Sequence, residues 1–298
     1  MVYEFAVSPM LCTNYQDLRF FLATFGREHG RLFSDIPRKK WMKFARAAIK
    51  HSDNGQVEKK RLVAGIEKLT KKAIYCRNSV PVIGSEDWLD HAISAHEDRP
   101  FEAIITDGYD GDDECILKNE HEFTENPRWN IPLDKMVERN PQSMITAIKP
   151  MFDCAREVIL IDRNFDPEKF RWLQLIIGLA DFFSKREFSP SINKINYHLG
   201  NRLAPHHVEL LCKKNLSTSL PTGMTVNFIF WPWEDLHDRY ILTDIGGVDF
   251  GIGLDIHDGS GPEHVKISRI SENTRQQWWK ACKAKNAAFS IPKKPNNQ

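Results

Sequence analysis

Three residues near the end of the chain have the types and the spacing that phosphate chemistry requires. His237, Arg239 and Asp244 form the pattern H-x-R-x4-D, and two glycines, Gly251 and Gly253, follow it. A histidine can attack phosphorus and form a phosphohistidine intermediate, which divides one difficult displacement into two easier steps. The arginine can hold the nonbridging oxygens with two hydrogen bonds, and the aspartate can orient the histidine ring. The glycines would let backbone N–H groups approach the phosphate.

This motif also makes a demand on local structure and on cofactors. Alternate residues of a β-strand share a face, so His237 and Arg239 can point into one pocket if both lie on a strand. No step of this chemistry needs a metal ion. The six cysteines are scattered without a CxxC pair, and the acidic stretch Asp107–Glu114 does not have EF-hand spacing. We therefore expect no metal and no other cofactor.

The same stretch carries a family resemblance. H-x-R-x4-D followed by a glycine turn resembles the signature of the phospholipase D superfamily, in which lysine stands at the position of Arg239 and Gly-Ser at Gly251-Ile252. The longer pattern, H-D-R-x-I followed by G-x-G-L-D, is similar to the pattern of a divergent branch of that superfamily. The branch contains the phospholipase-D-like C-terminal domain of MIT-domain proteins and related bacterial domains. The resemblance covers about residues 150–298.

The resemblance implies a metal-independent phosphodiesterase, most simply a nuclease acting on DNA or RNA, with bacterial anti-phage defence as the implied context. Superfamily members need two histidines, and members with one motif pair the histidines of two chains. His29 and His264 stand in imperfect copies of the motif, so activity implies a homodimer. In the MIT-protein branch the domain acts as a binding module. The alternative is therefore a non-catalytic module that binds an anionic ligand or a partner protein.

The pattern of apolar residues predicts the elements that would position the motif. Strands alternate with helices in the second half, which is typical of an α/β layered domain. The first half has more helix and no recognisable motif, so we predict an N-terminal mixed, helix-rich α/β domain over 1–140, a possible binding site for a partner protein. The proline-dotted segment 125–143 marks the boundary, and a phospholipase-D-like α/β domain follows over 150–298. The predicted strands of that domain are Glu157–Asp162, Lys194–His198, Met224–Trp231 and Arg239–Thr243.

Two polar residues directly after the first of these strands are further candidates. Open α/β sheets bind ligands at the carboxyl ends of their strands. Arg163 and Asn164 follow the strand 157–162, so they are predicted to contact phosphate. The alternative is an ordinary polar turn before a helix.

The net charge of +1 excludes a uniformly basic coat, but the charge is unevenly distributed. The segment 38–72 holds twelve basic residues against three acids, whereas 86–139 holds sixteen acids against five basic residues. Arg38, Lys39, Lys40 and Lys43 are therefore predicted to bind the nucleic-acid backbone by counterion release. The alternative is two solvated helical faces that neutralise each other. No apolar run is long enough to span a membrane and no signal peptide is recognised, so we expect a cytoplasmic protein.

Overall fold

A computed structural model describes residues 1–77, 79–107, 109, 111, 113–118, 124–187 and 191–292. Asp110 and Asp112 of the predicted acidic turn lie outside these described residues. The chain forms two compact units, Val2–Ile131 and Pro132–Gln298, the second of which also includes Met1. Both units contain helices together with sheets, so the α/β fold class is confirmed.

The N-terminal unit is built on a sheet of five parallel strands in the order β3-β2-β1-β4-β5. Its strands are β1 (Tyr3–Val7), β2 (Arg31–Ser34), β3 (Ile74–Tyr75), β4 (Ile104–Thr106) and β5 (Ile116–Lys118). Its helices are α1 (Tyr15–Thr24), α2 (Trp41–His51), α3 (Gln56–Ala73) and α4 (Trp88–Asp98). The chain therefore builds the sheet outward from β1 in one direction and then, from β4, in the other.

Local sequence explains where α1 begins and ends. The Asn14 side chain accepts a hydrogen bond from the N–H of Gln16 at 2.8 Å, which caps the first turn. Phe21 and Phe25 are fully buried against the sheet. The helix ends at Thr24 because Phe25 is extended and Gly26 follows with φ = 134°.

A buried ionic cluster lies on the central strand of this unit. Glu4 is 6% exposed and pairs with the guanidinium of Arg99 at 2.7 Å. The Ser34 hydroxyl donates to the same carboxylate. A carboxylate removed from water in this way needs such partners, because an uncompensated buried charge is strongly destabilising.

The C-terminal unit is built on an eight-stranded mixed sheet in the order β13-β9-β8-β7-β10-β11-β12-β6. The strands are β6 (Asp134–Glu138), β7 (Val158–Asp162), β8 (Lys194–Gly200), β9 (Thr225–Trp231), β10 (Arg239–Thr243), β11 (Gly247–Phe250), β12 (His264–Arg269) and β13 (Phe289–Pro292). The helices are α5 (Pro141–Cys154), α6 (Phe170–Ser184), α7 (Pro205–Asn215) and α8 (Glu272–Lys283).

At the centre of this sheet, the end of β7 lies beside the start of β10. β7, β8 and β9 are parallel, and all five residues of β7 are buried, as expected of a covered strand. β10 runs antiparallel to β7, with Arg239 opposite Asp162 and Thr243 opposite Val158. The residues that follow β7 therefore lie beside those that precede β10.

The division between the two units falls after Ile131, inside the segment 125–143 predicted to mark the boundary and before residue 140, the predicted end of the first domain. This segment also contains β6, which pairs with β12, and the start of α5. Pro141 is the first residue of α5, and Asn140 caps that helix by accepting the N–H of Ser143 at 2.8 Å. Proline is well tolerated at the first position of a helix, so this proline begins an element instead of interrupting one.

Candidate functional site

The central contact of the site joins the ends of two neighbouring strands. Arg163 follows β7, and its Nη1 lies 2.7 Å from Nδ1 of His237, which precedes β10. Because a guanidinium only donates hydrogen bonds, Nδ1 of the ring accepts here. A neutral His237 in this contact carries its proton on Nε2. The exposed histidine therefore presents an N–H donor to solvent.

Trp233 lies beside this pair and contacts two arginines. Its ring centroid lies 4.8 Å from Cζ of Arg163 and 5.8 Å from Cζ of Arg202. The backbone N–H of Trp233 donates to Oδ1 of Asn201 at 3.0 Å. At Gly200, the last residue of β8, a Cβ would lie 2.7 Å from the Trp233 ring. A glycine at this position therefore makes room for the tryptophan.

A pocket of about 630 Å³ in the C-terminal unit is lined by Arg163, Trp233, Gly200 and Arg202. Asn164 also lines it, together with Ile252. The charged residues that line the pocket are mostly basic. They are Arg139, Arg163, Lys169, Arg171 and Arg202 on one side of the balance and Asp166 and Asp255 on the other. This excess of positive charge favours an anionic ligand.

The basic lining residues divide into two groups by their partners. Three of them form ion pairs, which are Arg139–Asp255 at 2.8 Å, Arg171–Asp255 at 3.3 Å and Lys169–Asp166 at 3.2 Å. Within the described ranges, neither Arg163 nor Arg202 has a carboxylate within ion-pair distance. The two arginines that contact Trp233 are therefore the ones whose charge is left for a ligand.

Asp162, the last residue of β7, is a buried carboxylate beneath the site. It is completely buried, and its carboxylate accepts the N–H of Asn164 at 2.9 Å and that of Leu254 at 2.8 Å. Burial raises the pKa of Asp162 to about 6, although these two hydrogen bonds and the nearby Arg239 lower it. Its contacts hold the turn after β11 against the end of β7.

The two glycines of the motif have different environments, and a phosphate contact of Gly251 stays a prediction. Gly253 has φ = 137°, and a Cβ there would lie 2.9 Å from Oδ1 of Asp255 and 3.2 Å from Oδ2 of Asp162. Its N–H donates to the carbonyl of Phe250 at 2.9 Å, so it is not available to a ligand. Gly251 is exposed in the turn, with its nearest added contact at 3.7 Å. Gly253 instead admits two buried carboxylates.

The motif itself is only partly brought together. Arg239 is the first residue of β10, whereas His237 precedes the strand, so the two do not share a strand face as predicted. The half-buried Arg239 lies opposite Asp162. The prediction that Asp244 orients the histidine ring is wrong, because its carboxylate accepts the N–H groups of Arg156 and Glu157 at 2.8 and 3.4 Å.

Those two amide groups precede β7, whereas His237 lies beside the residue that follows it. A five-residue strand separates the ends by about 16 Å at 3.3 Å per residue. Asp244 therefore fixes the beginning of β7, and the group that holds the His237 ring is Arg163. Sequence reasoning missed the lining residues Gly200, which ends β8, and Arg202, which follows β8 as Arg163 follows β7.

The predicted nucleic-acid-binding residues lie in the N-terminal unit. Arg38, Lys39 and Lys40 form the exposed turn before α2, and Lys43 is exposed on its first turn. None of the four forms an ion pair with a described carboxylate. Their role in binding nucleic acid stays a prediction.

A metal-binding cluster and a membrane-spanning helix are both absent from the described residues. No group of three or more His, Cys, Asp or Glu side chains among them has the arrangement of a metal site. No helix in the described part of the chain is long and apolar enough to cross a membrane.

Comparison with known proteins gives little similarity. No protein family model and no curated protein matches the chain. Among solved structures, the chain is similar to TrmBL2, an archaeal chromatin protein with a novel mode of DNA binding, with 11% identity and a TM-score of 0.27. The match covers 53% of this chain and 52% of that one, so the chain spans about half the length of the protein it matches. A likeness at this level carries no argument about fold or function.

Proposed function

We propose that the C-terminal unit binds the phosphate groups of a nucleic-acid strand in the pocket beside Trp233. The observation that carries this proposal is the pair of arginines, Arg163 and Arg202, that contact one tryptophan and have no described carboxylate partner. A guanidinium matches phosphate geometry with two parallel hydrogen bonds. His237, which contacts Arg163, presents a second kind of donor, the N–H on Nε2.

A nucleic acid is the ligand that uses all of these groups. Its phosphates suit the arginines, and its bases suit an aromatic side chain, since stacking of one base on an aromatic ring contributes about 1–3 kcal/mol. The exposed residues Arg38, Lys39, Lys40 and Lys43 provide a second basic cluster on the same chain. The phosphodiester backbone is common to DNA and RNA, so the proposal includes both.

The second candidate function is metal-independent phosphodiester hydrolysis, and the contact between Arg163 and His237 favours it. In this reaction a ring nitrogen attacks phosphorus, the leaving oxygen takes a proton from an acid, and water then cleaves the phosphohistidine bond. The tautomer that Arg163 selects makes His237 a proton donor. The nucleophile must be a second, unprotonated histidine, which a homodimer would supply from its other copy.

Binding is tested with labelled single-stranded DNA, double-stranded DNA and RNA. The double variant Arg163→Gln/Arg202→Gln is compared with Lys185→Gln/Lys213→Gln, which removes the same charge from two exposed residues outside the pocket. We expect the first to weaken binding about tenfold or more and to flatten its salt dependence, since each lost phosphate contact lowers the slope by about 0.7–0.9. Equal affinity for the two double variants would contradict the proposal.

Hydrolysis is tested on the same substrates in the presence of a chelator, with the oligomeric mass read on the same samples. Cleavage by a dimer that is lost in His237→Ala would establish the second function. Binding without cleavage would leave the site as a binding module, the alternative that the sequence resemblance implies.

A further inference from the structure

The strand order of the N-terminal unit creates a second place where a ligand can bind. The chain adds β2 and β3 on one side of β1 and later adds β4 and β5 on the other. In open parallel sheets, the crevice outside the carboxyl ends of the two strands at such a reversal is where ligands bind. Here those strands are β1 and β4, which pair through Val7 and Ile105.

A pocket of about 640 Å³ lies at this crevice. Ser8, which follows β1, and Thr106 and Asp107, at the end of β4, form its base. Phe44 of α2 and Trp88 of α4 line its sides. Small-molecule sites in proteins measure about 300–1,000 Å³, so the pocket has the size of one organic ligand.

The side walls suit an apolar body. Trp88 is fixed in place because its indole N–H donates to the carbonyl of Ile36 at 3.0 Å. Phe44 is half-buried, and Ala47 beside it adds only a methyl group, which leaves space along the helix. A flat or aliphatic group can therefore lie between the two aromatic side chains.

The charged lining residues are acidic, namely Glu86, Asp87 and Asp107, and no lysine or arginine is among the described lining residues. His51 is the remaining titratable group. Asp87 caps α4 by accepting the N–H of Leu89 at 3.0 Å, so the helix start that could hold an anion already has a carboxylate. Phosphates are repelled here, and a cation relieves the repulsion among the carboxylates.

Ser8 supplies a buried hydrogen-bond donor at the base of the pocket. It is 4% exposed, and its Oγ accepts the N–H of Met10 at 3.3 Å. No residue in the described part of the chain accepts its hydroxyl proton. A buried donor in this state is satisfied when a ligand brings an acceptor atom.

We propose that the N-terminal unit binds a small organic cation at this crevice. Its apolar body lies between Phe44 and Trp88, its positive group meets Asp107, and an acceptor atom meets the Ser8 hydroxyl. This site is independent of the phosphate site in the C-terminal unit and takes a ligand of opposite charge.

Three probes that share one phenol ring test the proposal by calorimetry and ligand-observed NMR near neutral pH. Tyramine carries an ammonium group, 4-hydroxyphenylacetamide is neutral, and 4-hydroxyphenylacetate is an anion. We expect tyramine to bind at least about fivefold more tightly than the amide, and the anion to bind most weakly, since a carboxylate attracts the cation and repels the anion.

Variants locate the binding. Asp107→Asn removes the charge and should weaken tyramine about fivefold while leaving the amide nearly unchanged. Ala47→Phe fills the space at an exposed helix position and should weaken both, whereas Asp98→Asn, an exposed acid outside the pocket, should change neither. Circular dichroism checks that each variant is folded.

Three results would overturn the proposal. One is the absence of tyramine binding up to about 10 mM, which corresponds to less than about 3 kcal/mol of binding free energy. Another is equal affinity for the amine, the amide and the acid. The third is tyramine affinity that neither Asp107→Asn nor Ala47→Phe changes.

Discussion

Replacing each motif glycine by alanine in turn separates a structural role from a ligand-binding role. At Gly253 the added Cβ meets a carboxylate oxygen at 2.9 Å, and the backbone has φ = 137°, a region that only glycine adopts without strain. The strain contributes about 1–3 kcal/mol, and crowding of the buried Asp255 contributes about 1–3 kcal/mol more. We expect Gly253→Ala to lower the free energy of unfolding of the C-terminal unit by about 2–6 kcal/mol.

Gly251→Ala is the matched control because it makes the same change two residues earlier in the same turn. Gly251 is exposed, and its added Cβ comes no closer than 3.7 Å to any other atom. We expect its effect on the free energy of unfolding to stay within about 0.5 kcal/mol, as for most surface substitutions.

The assay is urea unfolding followed by near-ultraviolet circular dichroism, with hydrogen exchange of the Leu254 amide as a local probe. That amide donates to Asp162, so its protection reports directly on the turn that holds the two carboxylates. Equal effects of the two alanines, or a neutral Gly253→Ala, would refute the reasoning from carboxylate crowding. Loss of nucleic-acid binding in a fully stable Gly251→Ala would instead restore the original prediction that this glycine serves phosphate.

Three further predictions follow from buried groups. Glu4→Gln leaves Arg99 without its buried carboxylate, so it should destabilise the N-terminal unit by about 3–5 kcal/mol in urea unfolding, whereas the exposed Glu58→Gln should not. Gly200→Ala should displace Trp233 and weaken DNA binding about tenfold, measured by fluorescence anisotropy, with little change in melting temperature. Since the pKa of Asp162 is raised to about 6 from an unfolded value near 4, its protonated form stabilises the fold below about pH 4, and this stability is lost as the pH rises to 6. Asp162→Asn should remove this loss, so unfolding curves at pH 4 and pH 7 should differ less in the variant than in the wild type.

The layered part of the C-terminal unit could be predicted from the sequence because its elements are long and strongly patterned. The four consecutive apolar residues of β7 predict a buried strand, and the apolar face of α6 predicts a helix. The parallel sheet of the N-terminal unit could not be predicted in the same way. β2, β3 and β5 have four, two and three residues, too few for a periodic pattern to be recognised.

In the candidate site, residues at a predicted strand end could be predicted, whereas contacts between distant chain segments could not. The rule that ligands bind at strand ends predicts that Arg163 and Asn164 border a site, and both line the pocket. The separation of Asp244 from His237 follows from the strand β10 that lies between them. The partners at each end could not be predicted from the motif, because antiparallel pairing with β7 places the amides of Arg156 and Glu157 beside Asp244 and Arg163 beside His237.

Arg163 determines which role the proposed hydrolysis would give to His237 in each chain. While its Nη1 donates to Nδ1 of His237, the ring has no free lone pair and acts only as a donor. A phosphate that takes both arms of the guanidinium removes this contact and frees Nδ1. One copy that has bound phosphate would then offer a basic nitrogen, and a copy that retains its arginine contact would offer a proton. The proposed hydrolysis would therefore require two copies in these different states at one phosphodiester.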